Sequence, residues 1–178
     1  MTAKRPLTVE EQQELDALLL EISSRGLQEP KSVNPEAIKD KEWRLGGNGY
    51  FLRNDGHQYI PTEQQELFTK STARFVLFRG GRGSGKSAAG SQKAMFKIMA
   101  GEDGAVINPV FSDFKTSTWP EFKQWIDWSM VVPSQRHRKS DAWQPHQPFT
   151  MVFINGAKVY CKGLEAPKSA RGPNINWL

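Results

Sequence analysis

The chain has 178 residues with 24 basic against 19 acidic side chains, a net charge of +5, and a hydrophobic fraction of 38%. That balance fits a globular protein that buries a core without covalent staples. One cysteine, Cys161, excludes an internal disulfide framework and suits a reducing compartment, and His57, His137 and His146 lack metal-ligand spacing. No run approaches the ~18 apolar residues of a membrane span, and MTAKRPLTVEEQQ has no apolar stretch of the secretory kind. The charge is uneven. Residues 1–60 carry 8 basic and 10 acidic side chains, leaving 16 and 9 for residues 61–178. The positive part leans toward a polyanionic partner.

Along the chain, TVEEQQELDALLLEISSRG predicts a helix. Thr8 and Glu11 have capping-box spacing, Leu15, Leu18, Leu19 and Ile22 share a face, and Gly26 stops it. It serves either to pack on its own domain or to dock on another subunit. Pro30 and Pro35 mark a linker. EWRLGGNGYFLRNDGHQYIPTEQQELF predicts a short hairpin region, with turns at Gly46–Gly49 and Asn54–Gly56, then a helix opening at Thr62 after Pro61.

From Arg74 onward strands and helices alternate. RFVLF predicts a buried strand, GKSAAGSQKAMFKIMAG a helix ending at Gly101, and GAVINPV a second strand. TSTWPEFKQWIDWSM predicts one or two helices around Pro120, whose tryptophans Trp119, Trp125 and Trp128 serve packing. FTMVFI and AKVYCKG predict a hairpin across the two-residue turn Asn155–Gly156, and INWL begins a further buried strand. The expected class is α/β, a mainly parallel sheet flanked by helices. Residues 1–45 form the N-terminal helix and linker, and residues 46–178 the main domain.

Between the predicted strand RFVLF and the helix after it lies GGRGSGKS. Its glycines Gly80, Gly81, Gly83 and Gly85, with Ser84, Lys86 and Ser87, fit the phosphate-loop spacing GxxxxGKS. Such glycines let consecutive N–H groups turn inward on a phosphate, and the helix start adds its positive end. Lys86 reaches the β- and γ-oxygens as a point charge, while the Ser87 hydroxyl suits Mg²⁺. Arg82, inside the loop, either leans over the γ-phosphate or faces solvent. Upstream, Gln65 is either an adenine-reading amide or a helix-surface residue. Downstream, Arg171 on a Gly-Pro turn suits an arginine finger or a turn-capping contact. The run RHRK offers Arg136, Arg138 and Lys139 either to a DNA backbone or to solvent.

In their order these segments resemble the ATPase domain of the large terminase subunit of tailed bacteriophages, over about Glu42 to Leu178. EWRL…YF followed by YIPTEQQELF resembles that family's adenine-binding segment, whose Pro-x-x-x-Gln pattern falls on Pro61 and Gln65. FRGGRGSGKS resembles its arginine-containing phosphate loop. INPVFSDFKTSTWPEFKQWI is similar to the following strand and Trp-Pro helix, and FTMVFINGAKVYCKGLEAPKSARGPNINWL to the hairpin and Arg-Gly segment before the second acidic motif.

The resemblance implies a P-loop NTPase fold of the ASCE type and an ATPase using ATP and Mg²⁺. It implies a ring of subunits on the portal of an empty capsid, coupling hydrolysis to the pumping of double-stranded DNA inward. It makes Gln65 an adenine contact, and Arg82 and Arg171 the γ-phosphate sensor and subunit-bridging finger. The implied partners are the portal protein and the small terminase subunit, in the host cytoplasm and transiently at the procapsid portal vertex.

One departure stands out. The family's Asp-Glu pair, at the end of the strand that INWL begins, is not in this sequence, nor is the nuclease domain. The expectation is a fragment of a larger protein that hydrolyses ATP poorly. The alternatives are another P-loop enzyme, such as a helicase-like translocase or a small-molecule kinase (with Asp113 as a weak substrate acid), and a non-catalytic docking module.

Overall fold

Thr62 converts an extended segment into the first helix. Its hydroxyl accepts from the Gln65 N–H, and the Gln65 side chain accepts from the Thr62 N–H, closing a capping box over α1 (Glu63–Lys70). The coordinates, a computed structural model, describe residues 42–147, 149–165 and 176–177, all within one unit, Asn34–Leu178. The predicted N-terminal helix, its linker and Arg171 lie outside the described residues.

The second helix, α2 (Lys86–Met99), follows Gly85 directly and gives way to Ala100 and a left-handed Gly101, as the glycine predicts. Strand β1 is Gly104–Asn108. Next, α3 (Phe111–Asp113) runs through a π-turn, Phe114–Thr118, into α4 (Trp119–Trp125). Pro120 falls in the first turn of α4, directly after the π-turn in which Trp119 N–H reaches back to Phe114 O. A 3₁₀ segment, Pro133–Lys139, leads to β2 (Phe149–Val152) and β3 (Lys158–Gly163).

The class is α/β, with a small mixed sheet of order β1-β3-β2 among the described residues. Strand β1 pairs parallel with β3, placing Gly104 opposite Val159, and β2 pairs antiparallel with β3, placing Phe149 opposite Cys161. Trp177 makes a parallel bridge to Gly104 on the other edge of β1. No described helix is long and apolar enough to cross a membrane.

Two local expectations are corrected. Residues 74–78 form no strand, and Phe75 and Leu77 are 85% and 81% exposed. A strand needs a neighbour to take its backbone hydrogen bonds. None of the described strands pairs with RFVLF, so its backbone groups gain no ladder. The hairpin turn is also longer than expected. Phe153 N–H donates to Ala157 O and Gly156 N–H to Phe153 O, and only Gly156 has positive φ. This is a three-residue loop whose glycine takes the left-handed position, because a two-residue type I′ turn would force Asn155 to positive φ as well.

The core is aromatic. Trp119, Phe114, Phe149 and Phe111 pack around the helical rod, with Trp125 and Trp128 also buried, as their packing role predicts. A second link ties the N-terminal segment to α2. Gln92 is fully buried, its Oε1 accepting from Phe51 N–H at 2.9 Å and its Nε2 donating to Phe51 O at 3.0 Å. Gln92→Leu keeps the volume but leaves both backbone groups of Phe51 buried without partners. At about 1–3 kcal/mol per orphaned group, offset in part by burying an apolar side chain in place of the amide, it lowers stability by about 2–4 kcal/mol, read as a shifted urea midpoint.

Candidate phosphate-binding site

The loop Gly80–Ser87 runs into the first turn of α2. Gly83 and Gly85 adopt left-handed conformations (φ 79° and 73°), which any side-chain-bearing residue adopts only at a cost. At Gly80 a Cβ would lie 2.5 Å from the Ser84 hydroxyl, which would have to rotate away. The glycine spacing therefore reflects backbone geometry at two of its positions, Gly83 and Gly85.

Lys86 folds back across this loop. Its Nζ donates to Gly80 O at 2.8 Å, to Gly81 O at 2.6 Å and to Ser84 Oγ at 3.3 Å. The ammonium is held over the loop backbone by neutral acceptors, which anionic oxygens would outcompete because they add an opposite charge. Ser87 is exposed in the first turn of α2 beside it, and its carbonyl accepts from Ser91 Oγ, leaving the Ser87 hydroxyl outside that bond. Arg82 is exposed on the turn of the loop.

Gln65 is brought to the loop, though not as a surface residue. It is 8% exposed, and its Nε2 donates to Ser84 O at 2.9 Å. Its Oε1 accepts from Thr62 N–H at 2.9 Å and from the Tyr59 hydroxyl at 3.2 Å. Tyr59 and Tyr50 pack against Trp125 below it, and the Tyr50 hydroxyl lies 3.3 Å from Thr69 Oγ1. Neither Tyr59 nor Ser84 O was singled out from sequence as a contact of Gln65. The Thr62-x-x-Gln65 capping spacing was the available signal that this amide is committed locally.

Burial, and secondarily the neighbouring Tyr50, push the Tyr59 phenol up to about 12 from its ordinary 10. The sign follows from which state ionises first. The unfolded chain releases this proton near pH 10 and the folded chain near 12. The neutral phenol's contribution to stability is therefore complete below 10 and lost between 10 and 12. A spectrophotometric titration of the folded protein is expected to show one tyrosine ionising near 12; full ionisation of all three by pH 11 without unfolding would contradict this.

The basic run RHRK is built into the framework rather than into an exposed loop. Arg136 donates from Nε to Val131 O at 2.9 Å and from Nη2 to Ser129 O at 2.8 Å. Arg138 lies between the rings of Trp143 and Phe149, 5.3 and 5.2 Å from their centroids, and donates to Thr150 O. Lys139 is exposed. These residues are not brought to the phosphate loop by any described contact.

A cavity of about 500 Å³ between α2 and β1 touches the loop region only at Ser87, and is otherwise lined by groups such as Ala94, Val106, Phe122 and Trp177. Its apolar walls are unlike the backbone cradle of Gly80–Gly85. No protein-family model matches the chain, and neither the curated proteins nor the solved structures give a match.

Proposed function

We propose that this chain is the ATP-binding region of a viral DNA-packaging motor, the large terminase subunit of the tailed-bacteriophage kind, built on a P-loop NTPase fold. The single observation that carries the nucleotide part is the loop itself. Two left-handed glycines precede the start of a 14-residue helix, with Lys86 folded over the loop carbonyls and Ser87 beside it. The packaging part is supported by the order of segments along the sequence and by the positive balance of residues 61–178.

In this reading the loop N–H groups and the start of α2 receive the β-phosphate, and Lys86 supplies positive charge to the β- and γ-oxygens. The exposed Ser87 hydroxyl fits a Mg²⁺ ligand, and the ion neutralises phosphate charge when bound. Arg82 is positioned on the loop to sense γ-phosphate charge, and Arg171 is assigned the subunit-bridging role. ATP hydrolysis would drive double-stranded DNA through a ring seated on a portal, with the small terminase subunit as partner. Lys139 is the exposed member of the basic run available to a DNA backbone, while Arg136 and Arg138 hold the segment that presents it.

Calorimetric titration of the purified chain with Mg-ATP tests the nucleotide part. Saturable binding is expected, and heat no greater than dilution at millimolar ATP would overturn it. Duplex binding measured at two salt concentrations tests the motor part. Affinity should fall steeply with salt, less steeply in Lys139→Ala; absence of duplex binding at low salt would leave a nucleotide-binding protein of another kind.

A further inference from the structure

We infer that Gln65 is a positioning residue that holds the phosphate loop, rather than a reader of the nucleotide base; the inference rests on the triphosphate reading above. An amide reads adenine by donating and accepting at once. The acceptor half of Gln65 is already committed. Its Oε1 takes the Thr62 N–H and the Tyr59 hydroxyl, filling both lone pairs of a carbonyl oxygen. To accept from a base, Gln65 would have to abandon the cap of α1 and leave a buried tyrosine hydroxyl without its acceptor.

The donor half points at the loop. Nε2 binds Ser84 O at 2.9 Å and lies so close to Gly85 that a Cβ there would approach it to 2.5 Å. Gly85 is thus required twice, for its left-handed φ of 73° and for the approach of this amide. In a planar trans peptide the C=O and the following N–H point in opposite directions. Pinning Ser84 O toward Gln65 therefore aims the Gly85 N–H away from it, and the orientation of one loop donor is set from outside the loop. The chain of contacts runs from Tyr59 through Gln65 to the Ser84–Gly85 peptide, one residue short of Lys86.

A positioning role and a base-reading role differ in what they do to a ligand without a base. Calorimetric titrations of the whole chain with Mg-ATP, Mg-GTP and inorganic tripolyphosphate separate them. Gln65→Met keeps the volume and removes both hydrogen-bonding halves; Gln65→Glu keeps the acceptor for Tyr59 and Thr62 and loses the donor to Ser84. Both variants are expected to lose about tenfold in affinity, equally for all three ligands. A loss confined to ATP, or no loss for any ligand, overturns the inference.

Amide hydrogen exchange on the ligand-free chain supplies the second readout. Exchange across residues 81–87 should accelerate in Gln65→Met while exchange in β3 stays unchanged, which distinguishes a loosened loop from a destabilised fold. Unchanged loop exchange overturns the inference. If the unsubstituted chain bound none of the three ligands, the triphosphate reading would fail while faster loop exchange still upheld the tether.

Discussion

Lys86→Ala is expected to lower the affinity for Mg-ATP by about a hundredfold. The Lys86 ammonium makes three hydrogen bonds to neutral loop acceptors, two of them backbone carbonyls of Gly80 and Gly81. Exchanging these for anionic oxygens adds the attraction of opposite charges to bonds the ammonium already assists, and a hydrogen bond to a charged group contributes about 1.5–3 kcal/mol net. Losing two such bonds, less what water restores, amounts to about 3 kcal/mol, or about two orders of magnitude. The fold should be little affected, because the loop bonds are exposed and alanine is at least as good a residue for the first turn of α2. Lys86→Arg should restore only part of the affinity, because a planar fork does not reproduce a compact charge in a loop this tight. Calorimetry alongside a thermal melt measures both quantities, and an unchanged dissociation constant for Lys86→Ala would remove the loop from consideration as a phosphate site.

Trp119→Ala is the substitution with the largest expected effect on stability, about 3–5 kcal/mol. The side chain is 2% exposed and its ring meets those of Phe149 at 5.0 Å, Trp143 at 5.6 Å, Phe114 at 6.2 Å and Trp128 at 6.3 Å. Removing it leaves a cavity where the helical rod, the loop carrying Trp143 and β2 converge, bounded by rings too rigid to collapse into the space. Trp119→Phe should cost less, about 1–2 kcal/mol. The indole Nε1 is buried without a hydrogen-bond partner, so its removal also relieves an unsatisfied donor. Denaturant unfolding read at constant slope compares the two; equal losses would mean that a phenyl ring recovers none of the packing the indole supplied.

Local chemistry was legible in the sequence where one short segment suffices to state the constraint. The capping box of α1, the left-handed Gly101 after α2, the tolerance of Pro120 in α4 and the glycine-rich turn into Lys86 all follow from neighbouring residues. The buried tryptophans and the α/β alternation were legible for the same reason, as spacing of apolar residues.

Only tertiary structure decided how those pieces spend their polar groups. The spacing from Thr62 accounts for one bond of the Gln65 amide, yet its other partners, Tyr59 on one side and Ser84 on the other, lie 6 and 19 residues away. Arginines in RHRK read as solvent-facing charge, yet they find carbonyls at Ser129 and Val131, and rings at Trp143 and Phe149. An apolar run such as RFVLF reads as a strand, but strandness belongs to a pair. The sequence by itself determined a glycine-rich turn running into a helix; the fold decided what braces that loop, because a hydrogen bond's second partner is fixed by distance in space and not by distance along the chain.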